Sequence, residues 1–110
     1  MSYRVAYLPE VAGDLRAIER WLDKYTDPDT TTRRLLQIAQ TINFIADYPH
    51  ACAIRDDVAP GLRAVLAAEG RAVLTFFVND DQKEVMIIAA TYAGADWIGR
   101  SRIRLIDERD

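Results

Sequence analysis

From Val85 to Ala90 the chain reads Val-Met-Ile-Ile-Ala-Ala, with no polar residue. A strand of that composition has no side fit for water. It belongs inside a sheet, covered on both faces, or on one face and by a partner. In a chain of 110 residues the cover has to be sought in the periodicity of the other segments.

Two upstream segments supply it. Pro9-Glu10 is a good helix entrance, because proline loses nothing in a first turn. Val11, Leu15, Ile18, Leu22 and Tyr25 then follow at spacings of four, three, four and three, which places them on one helical face. Asp14, Arg16, Glu19, Arg20 and Asp23 occupy the remainder. Thr26-Asp27-Pro28-Asp29 breaks this helix, and Asp29 with Thr30, Thr31 and Thr32 offers N-cap oxygens for a second. Leu35, Ile38, Ile42 and Ile45 carry the second stripe, broadened by Leu36 and Phe44, and Pro49 stops it. So short a break predicts an antiparallel helical hairpin.

The rest reads as strands. Tyr3 to Leu8 alternate around Val5 and Tyr7. His50 to Pro60 have no periodicity and read as a loop. Leu62–Ala67, Arg71–Val78 and Glu84–Tyr92 are rich in β-formers, separated by the tight Ala68-Glu69-Gly70 link and the polar turn Asn79-Asp80-Asp81-Gln82. The expected fold is α+β, in the order β-α-α-β-β-β, with a helical hairpin packed on a mainly antiparallel four-stranded sheet. All of 1–110 is read as one domain, with 93–110 a tail whose end, Asp107 to Asp110, frays.

Composition narrows the function. The formal net charge is −3 and the pI about 5.1, an unfavourable balance for a protein that grips nucleic acid through its phosphates. The single cysteine, Cys52, makes no internal disulfide, and no Cys/His cluster holds zinc. His50, directly after Pro49, reads as a solvated loop residue. No cofactor or metal is expected. With no N-terminal apolar segment and no membrane-length run, the expected setting is the cytoplasm.

The opening Tyr3-Arg4-Val5, then Pro9-Glu10-Val11-Ala12-Gly13-Asp14-Leu15 with Ile18, resembles the start of the RelE/ParE superfamily of toxins of bacterial type II toxin–antitoxin modules. So do the proline after the second helix (Pro49), the Leu62-Arg63 pair opening the sheet, and the strands that follow. The resemblance spans about residues 3 to 97, and Pro60-Gly61-Leu62-Arg63 is more similar to the ParE side. It implies a toxin that binds and inhibits DNA gyrase, is neutralised by a cognate antitoxin folding onto it, and has no direct DNA contact except through that antitoxin. The RelE side implies instead a ribosome-dependent mRNA endonuclease using Arg63. A third reading is a non-toxic interaction module.

Residue chemistry weighs against the nuclease. Cleavage by the RNA 2′-hydroxyl needs a proton acceptor, a proton donor and cations for the phosphate. The loop Ile54-Arg55-Asp56-Asp57 carries two carboxylates, the only lysines are Lys24 and Lys83, and Thr91-Tyr92-Ala93-Gly94-Ala95 lacks an arginine. Arg63 alone is a poor base. Arg63, Tyr92, Trp97 and Arg100 are candidates for target contact; Trp21, Val85, Ile87 and Trp97 for antitoxin contact. Bland alternatives stand beside them. Arg63 pairs with Asp56 or Asp57, Trp21 widens the buried face, Asp56 and Asp57 are local caps, and Arg100, Arg102 and Arg104 form one side of an extended, solvated tail.

Overall fold

The computed structural model describes residues 2–109. Its first strand, β1 (Arg4–Tyr7), passes through Leu8 and Pro9 straight into helix α1 (Glu10–Tyr25). Val11, Ile18 and Leu22 of the expected stripe are buried. Thr26 ends the helix, both its N–H and its hydroxyl donating to the Leu22 carbonyl. Helix α2 (Pro28–Asp47) follows at once. Its cap is Asp27 rather than Asp29 or the threonines. Pro28 takes the first helical position, so the capping carboxylate stands one residue earlier and accepts from the Thr30 N–H at 2.8 Å. Ile38 and Ile45 point inward, but Leu36 and Phe44 do not broaden the buried stripe. They are 56% and 44% exposed on the outer side.

Past α2 a short 3-10 turn (Pro49–Ala51) leads to β2 (Ala53–Ile54), then β3 (Arg63–Ala67), β4 (Ala72–Asn79) and β5 (Glu84–Tyr92). The sheet is five-stranded in the order β1-β5-β4-β3-β2, with β1 parallel to β5 and all other neighbours antiparallel. The additional strand is two residues long, too short for a periodicity to announce it. Gly61 turns the chain into β3 with φ +81°, a conformation that favours glycine.

The main departure from expectation lies in the tail. Trp97–Arg109 is a helix, α3. Its inward set is Ile98, Ser101 and Leu105, and Asp96 receives the Gly99 N–H at 3.0 Å at its start. Serine at the middle position hides the apolar stripe from the sequence. It is tolerated because its hydroxyl lies 3.0 Å from that of Thr75, and both are fully buried. The fraying expected over 107–110 falls at the end of this helix, and Asp110 lies outside the described residues.

Thr75 meets α3, so along the regular strand β4 Leu74 and Phe76 point the other way, toward the helical hairpin. Arg63 and Val65 lie directly opposite Phe76 and Leu74 and share that face. In β5 the register slips by one residue at Ile88, which leaves Val85 and Ile87 facing the hairpin beside Val78 and Phe76. The apolar strand is thus central and covered on both faces, by the hairpin and by α3. Val85 and Ile87 are 0% exposed, so the reading of them as antitoxin contacts is withdrawn.

Phe76 is fully buried, so Phe76→Ala is expected to lower the unfolding free energy by about 3–5 kcal/mol. Leu36→Ala, on the outer face, should leave the urea midpoint nearly unchanged.

Candidate functional site

Arg63 opens β3, and its guanidinium is already in use. Nη1 donates to the Cys52 carbonyl at 2.8 Å and to the His50 carbonyl at 3.4 Å, pinning the chain that leaves α2. Neither aspartate of the loop before β3 is its partner. Asp56 accepts the Gly61 N–H at 2.8 Å, a local cap. Asp57 is gripped by Arg55 through two hydrogen bonds of 2.9 and 2.8 Å. The same Arg55 guanidinium stacks 4.9 Å from the ring centroid of Trp97.

The remaining candidates stand elsewhere. Tyr92 ends β5 on the hairpin side, its ring 5.3 Å from Trp21, which in turn packs 4.9 Å from Tyr25. Trp21 therefore both widens the buried face and stays 39% exposed. Trp97 and Arg100 are on α3, across the sheet. Arg63 and Tyr92 are two strands apart, Arg63 opposite Phe76 in the middle of β4 and Tyr92 opposite Ala72 at its start. The four target candidates do not converge on one point.

The arginines of the tail are not on one side, because the tail is helical. Arg104 chelates the Asp14 carboxylate at 2.5 and 2.6 Å and donates to the Ile88 carbonyl at 3.0 Å. Arg100 approaches the same carboxylate at 3.7 Å. Arg102 turns toward the loop and donates to the carbonyls of Asp57 and Val58 at 2.7 and 3.1 Å. Asp14 also accepts the Ala90 N–H at 3.0 Å. One buried carboxylate thus joins α1, β5 and α3. The bond to Asp14 holds the Arg104 guanidinium above its usual pKa.

Sequence reasoning missed this pair, although a signal was present. Asp14 lies three residues after Val11 and four before Ile18, both buried, and so occupies the inward face. A second cluster was also missed. The Tyr3 hydroxyl donates to Asp80 Oδ1 at 2.7 Å, and His50 Nε2 lies 2.9 Å from the same oxygen. These bonds, Tyr3 first, hold Asp80 below the usual carboxylate range. The cluster clamps β1, the 3-10 turn and the β4–β5 turn together, and it places a lasting negative charge beside the only histidine. That charge opposes a phosphate there. Among the described residues no group of three His, Cys, Asp or Glu side chains gathers to hold a metal, and no helix is long and apolar enough to cross a membrane.

Two measurements check these contacts. Arg104→Ala leaves the Asp14 carboxylate buried without its partner and should cost about 3–5 kcal/mol, read by urea unfolding. Arg55 holds the Asp57 carboxyl below its ordinary range. A group whose folded pKa is depressed stabilises the fold above its unfolded value, near pH 4, and loses that contribution as pH falls through the folded value. Asp57→Asn is therefore expected to flatten the fall of stability with pH below about 4, with little change at neutral pH beyond the lost pair.

No protein-family model matches the chain, nor does any curated protein. Solved structures do. The chromosomal ParDE toxin–antitoxin system of P. aeruginosa matches with a TM-score of 0.69 and 18% identity, over 84% of this chain and 97% of that one. A mutant of the E. coli toxin RelE in the free state matches with a TM-score of 0.64 and 15% identity, over 96% and 99%. The toxin–antitoxin complex RelBE2 of Mycobacterium tuberculosis matches with a TM-score of 0.60 and 17% identity, over 84% and 99%. The hairpin-on-sheet architecture expected from the sequence is thus the one seen in these proteins, and the chain has the RelE/ParE toxin fold.

Proposed function

We propose that this chain is the toxin of a type II toxin–antitoxin pair, that it acts in the ParE manner by docking onto DNA gyrase in the cytoplasm, and that a cognate antitoxin neutralises it. The fold similarity to ParE and RelE toxins supports the class. The choice between docking and cutting rests on one observation: the guanidinium of Arg63 is bonded to the backbone carbonyls of His50 and Cys52. It faces no acid or base poised for proton transfer. On the other face, Arg55 and Arg102 are likewise bound, to Asp57 and to loop carbonyls. General acid–base catalysis of RNA cleavage requires a donor, an acceptor and a cation around one phosphate, and the arrangement supplies none of these as a set.

Docking asks for exposed apolar and aromatic anchors instead. Trp97, Trp21 and Tyr92 are partly open, and Tyr25, Phe44, Tyr48 and Leu66 are exposed. Trp97 and Arg100 on α3 are the candidates for target contact. Trp21, with Trp97, remains a candidate for the antitoxin.

Expression without the antitoxin is expected to arrest growth, and the purified chain to inhibit gyrase supercoiling. Unchanged supercoiling at large molar excess removes gyrase as the target. Codon-positioned cuts in translated messages after induction, abolished by a folded Arg63→Ala variant, establish the RelE-type nuclease in its place. Absence of any growth effect, with antitoxin binding intact, leaves an interaction module.

A further inference from the structure

Helix α2 turns one face away from the core. Arg33, Leu36, Gln40, Phe44 and Asp47 follow one another at spacings of three, four, four and three, so they share that face. All five are exposed. The buried residues of the helix, Thr31, Arg34, Ile38, Ile45 and Ala46, lie on the opposite side. Leu36 and Phe44 thus stand in one band on the side where a helix that meets only water carries polar groups.

The order along this face is symmetric about Gln40. Leu36 and Phe44 stand four residues to either side of it, and Arg33 and Asp47 seven. Neither charge is well matched within the chain. Arg33 lies 3.9 Å from Glu69 Oε2, but that oxygen is held more closely by Arg34 at 2.6 Å and by Gln37 at 2.9 Å. Asp47 accepts the Ser2 hydroxyl and has no cation partner among the described residues.

We infer that this face of α2 is the contact surface of a two-fold dimer of the chain, in which the α2 helices of two copies lie antiparallel and cross at Gln40. A two-fold axis there sets each residue beside the one equally far on the other side of Gln40. Leu36 of each copy packs on Phe44 of the other, and Arg33 of each meets Asp47 of the other. The two Gln40 amides face one another, each able to donate and to accept. Arg33, Gln40 and Asp47 repeat at heptad spacing, which keeps these contacts together at a shallow crossing of about 20°. The occupant is a second copy because the face carries both members of every pair: apolar with apolar, cation with anion, amide with amide. One helix face is small for a stable interface, so the dimer is weak, with a Kd of micromolar order or above. Trp97 and Arg100, across the sheet on α3, stay uncovered in it.

The test is sedimentation velocity of the purified full chain over a range of concentrations. The parent is expected to pass from monomer to dimer as concentration rises. Arg33→Glu and Asp47→Lys each bring like charges together across the interface and should raise the dimer Kd by on the order of 10-fold or more. The double variant restores both pairs with their signs exchanged, and its Kd should return close to that of the parent. Gln40→Glu sets two carboxylates against each other at the axis and should weaken the dimer in the same way, which keeps the test decisive if a swapped chain misfolds by circular dichroism. A parent that stays monomeric at millimolar concentration overturns the inference. So does a dimer that neither single swap nor Gln40→Glu weakens, or one that a folded double swap fails to restore, since the copies then meet on another surface. If the free chain stays monomeric while the product of the neighbouring reading frame binds the parent and not Arg33→Glu, the face serves that partner and the inference falls.

Discussion

The carboxylate of Asp14 stands where α1, β5 and α3 meet, and it is buried. Without a cation, a charge in such a place costs several kcal/mol. Arg104 supplies both donors, and the Ala90 N–H a third. The pair does more than offset its own desolvation. Arg104 begins 90 residues later, on the last helix, so its bond fixes α3 over the second face of the sheet. The apolar run Val85–Ala90 needs cover on that side. With the hairpin alone, Ala89 and Thr91 would face water beside Thr75. The buried ion pair thus selects one docking of the tail, while the apolar contacts of Ile98 and Leu105 provide the burial.

The other arginines follow the same economy. Arg34 reaches from α2 to Glu69 at 2.6 Å and to the Ala68 carbonyl at 3.5 Å. Ala68 and Glu69 both hold positive φ, at 50° and 60°. That backbone is unfavourable for residues with a Cβ, and the link from α2 holds the turn in place. Arg63 ties the exit of α2, and Arg102 the loop before β3. Each of these guanidiniums is committed to carbonyls or carboxylates of its own chain. A net negative chain that spends these arginines on its own backbone and carboxylates is an unfavourable partner for phosphates.

Much of this architecture was legible because it depends on periodicity. Val11, Ile18 and Leu22 on one helix, Ile38 and Ile45 on the next, and the unbroken Val85–Ala90 strand all sit where a 3.6 or a two-residue repeat puts them. What escaped depends on pairing between distant residues. Ser101 broke the apolar pattern of α3 and is explained only by Thr75. Asp14 looked like one of several surface acids and is explained only by Arg104. Leu36 and Phe44 looked like core, because a stripe drawn on hydrophobicity alone does not know how wide the neighbouring sheet is. The site was least legible of all. Arg63 drew attention as a lone cation at the start of the sheet, yet its role is set by two carbonyls, and no sequence shows where carbonyls point.

One edge of the sheet stays partly open. Uncovered strands invite association, and proteins shorten or cover them where no partner is meant to bind. This chain does both elsewhere. β1 is four residues long, and the N–H of Tyr3 beside it is taken by the Ala46 carbonyl of α2. β2 shields half of β3. At Leu66 the shielding stops, although the side chain there is a large apolar one and a groove lies on either side. The opposite edge carries a charge instead, Arg4 of β1, which pairs with Glu84 of the inner strand β5. Leu66 is thus the part of this edge left without a pairing strand among the described residues.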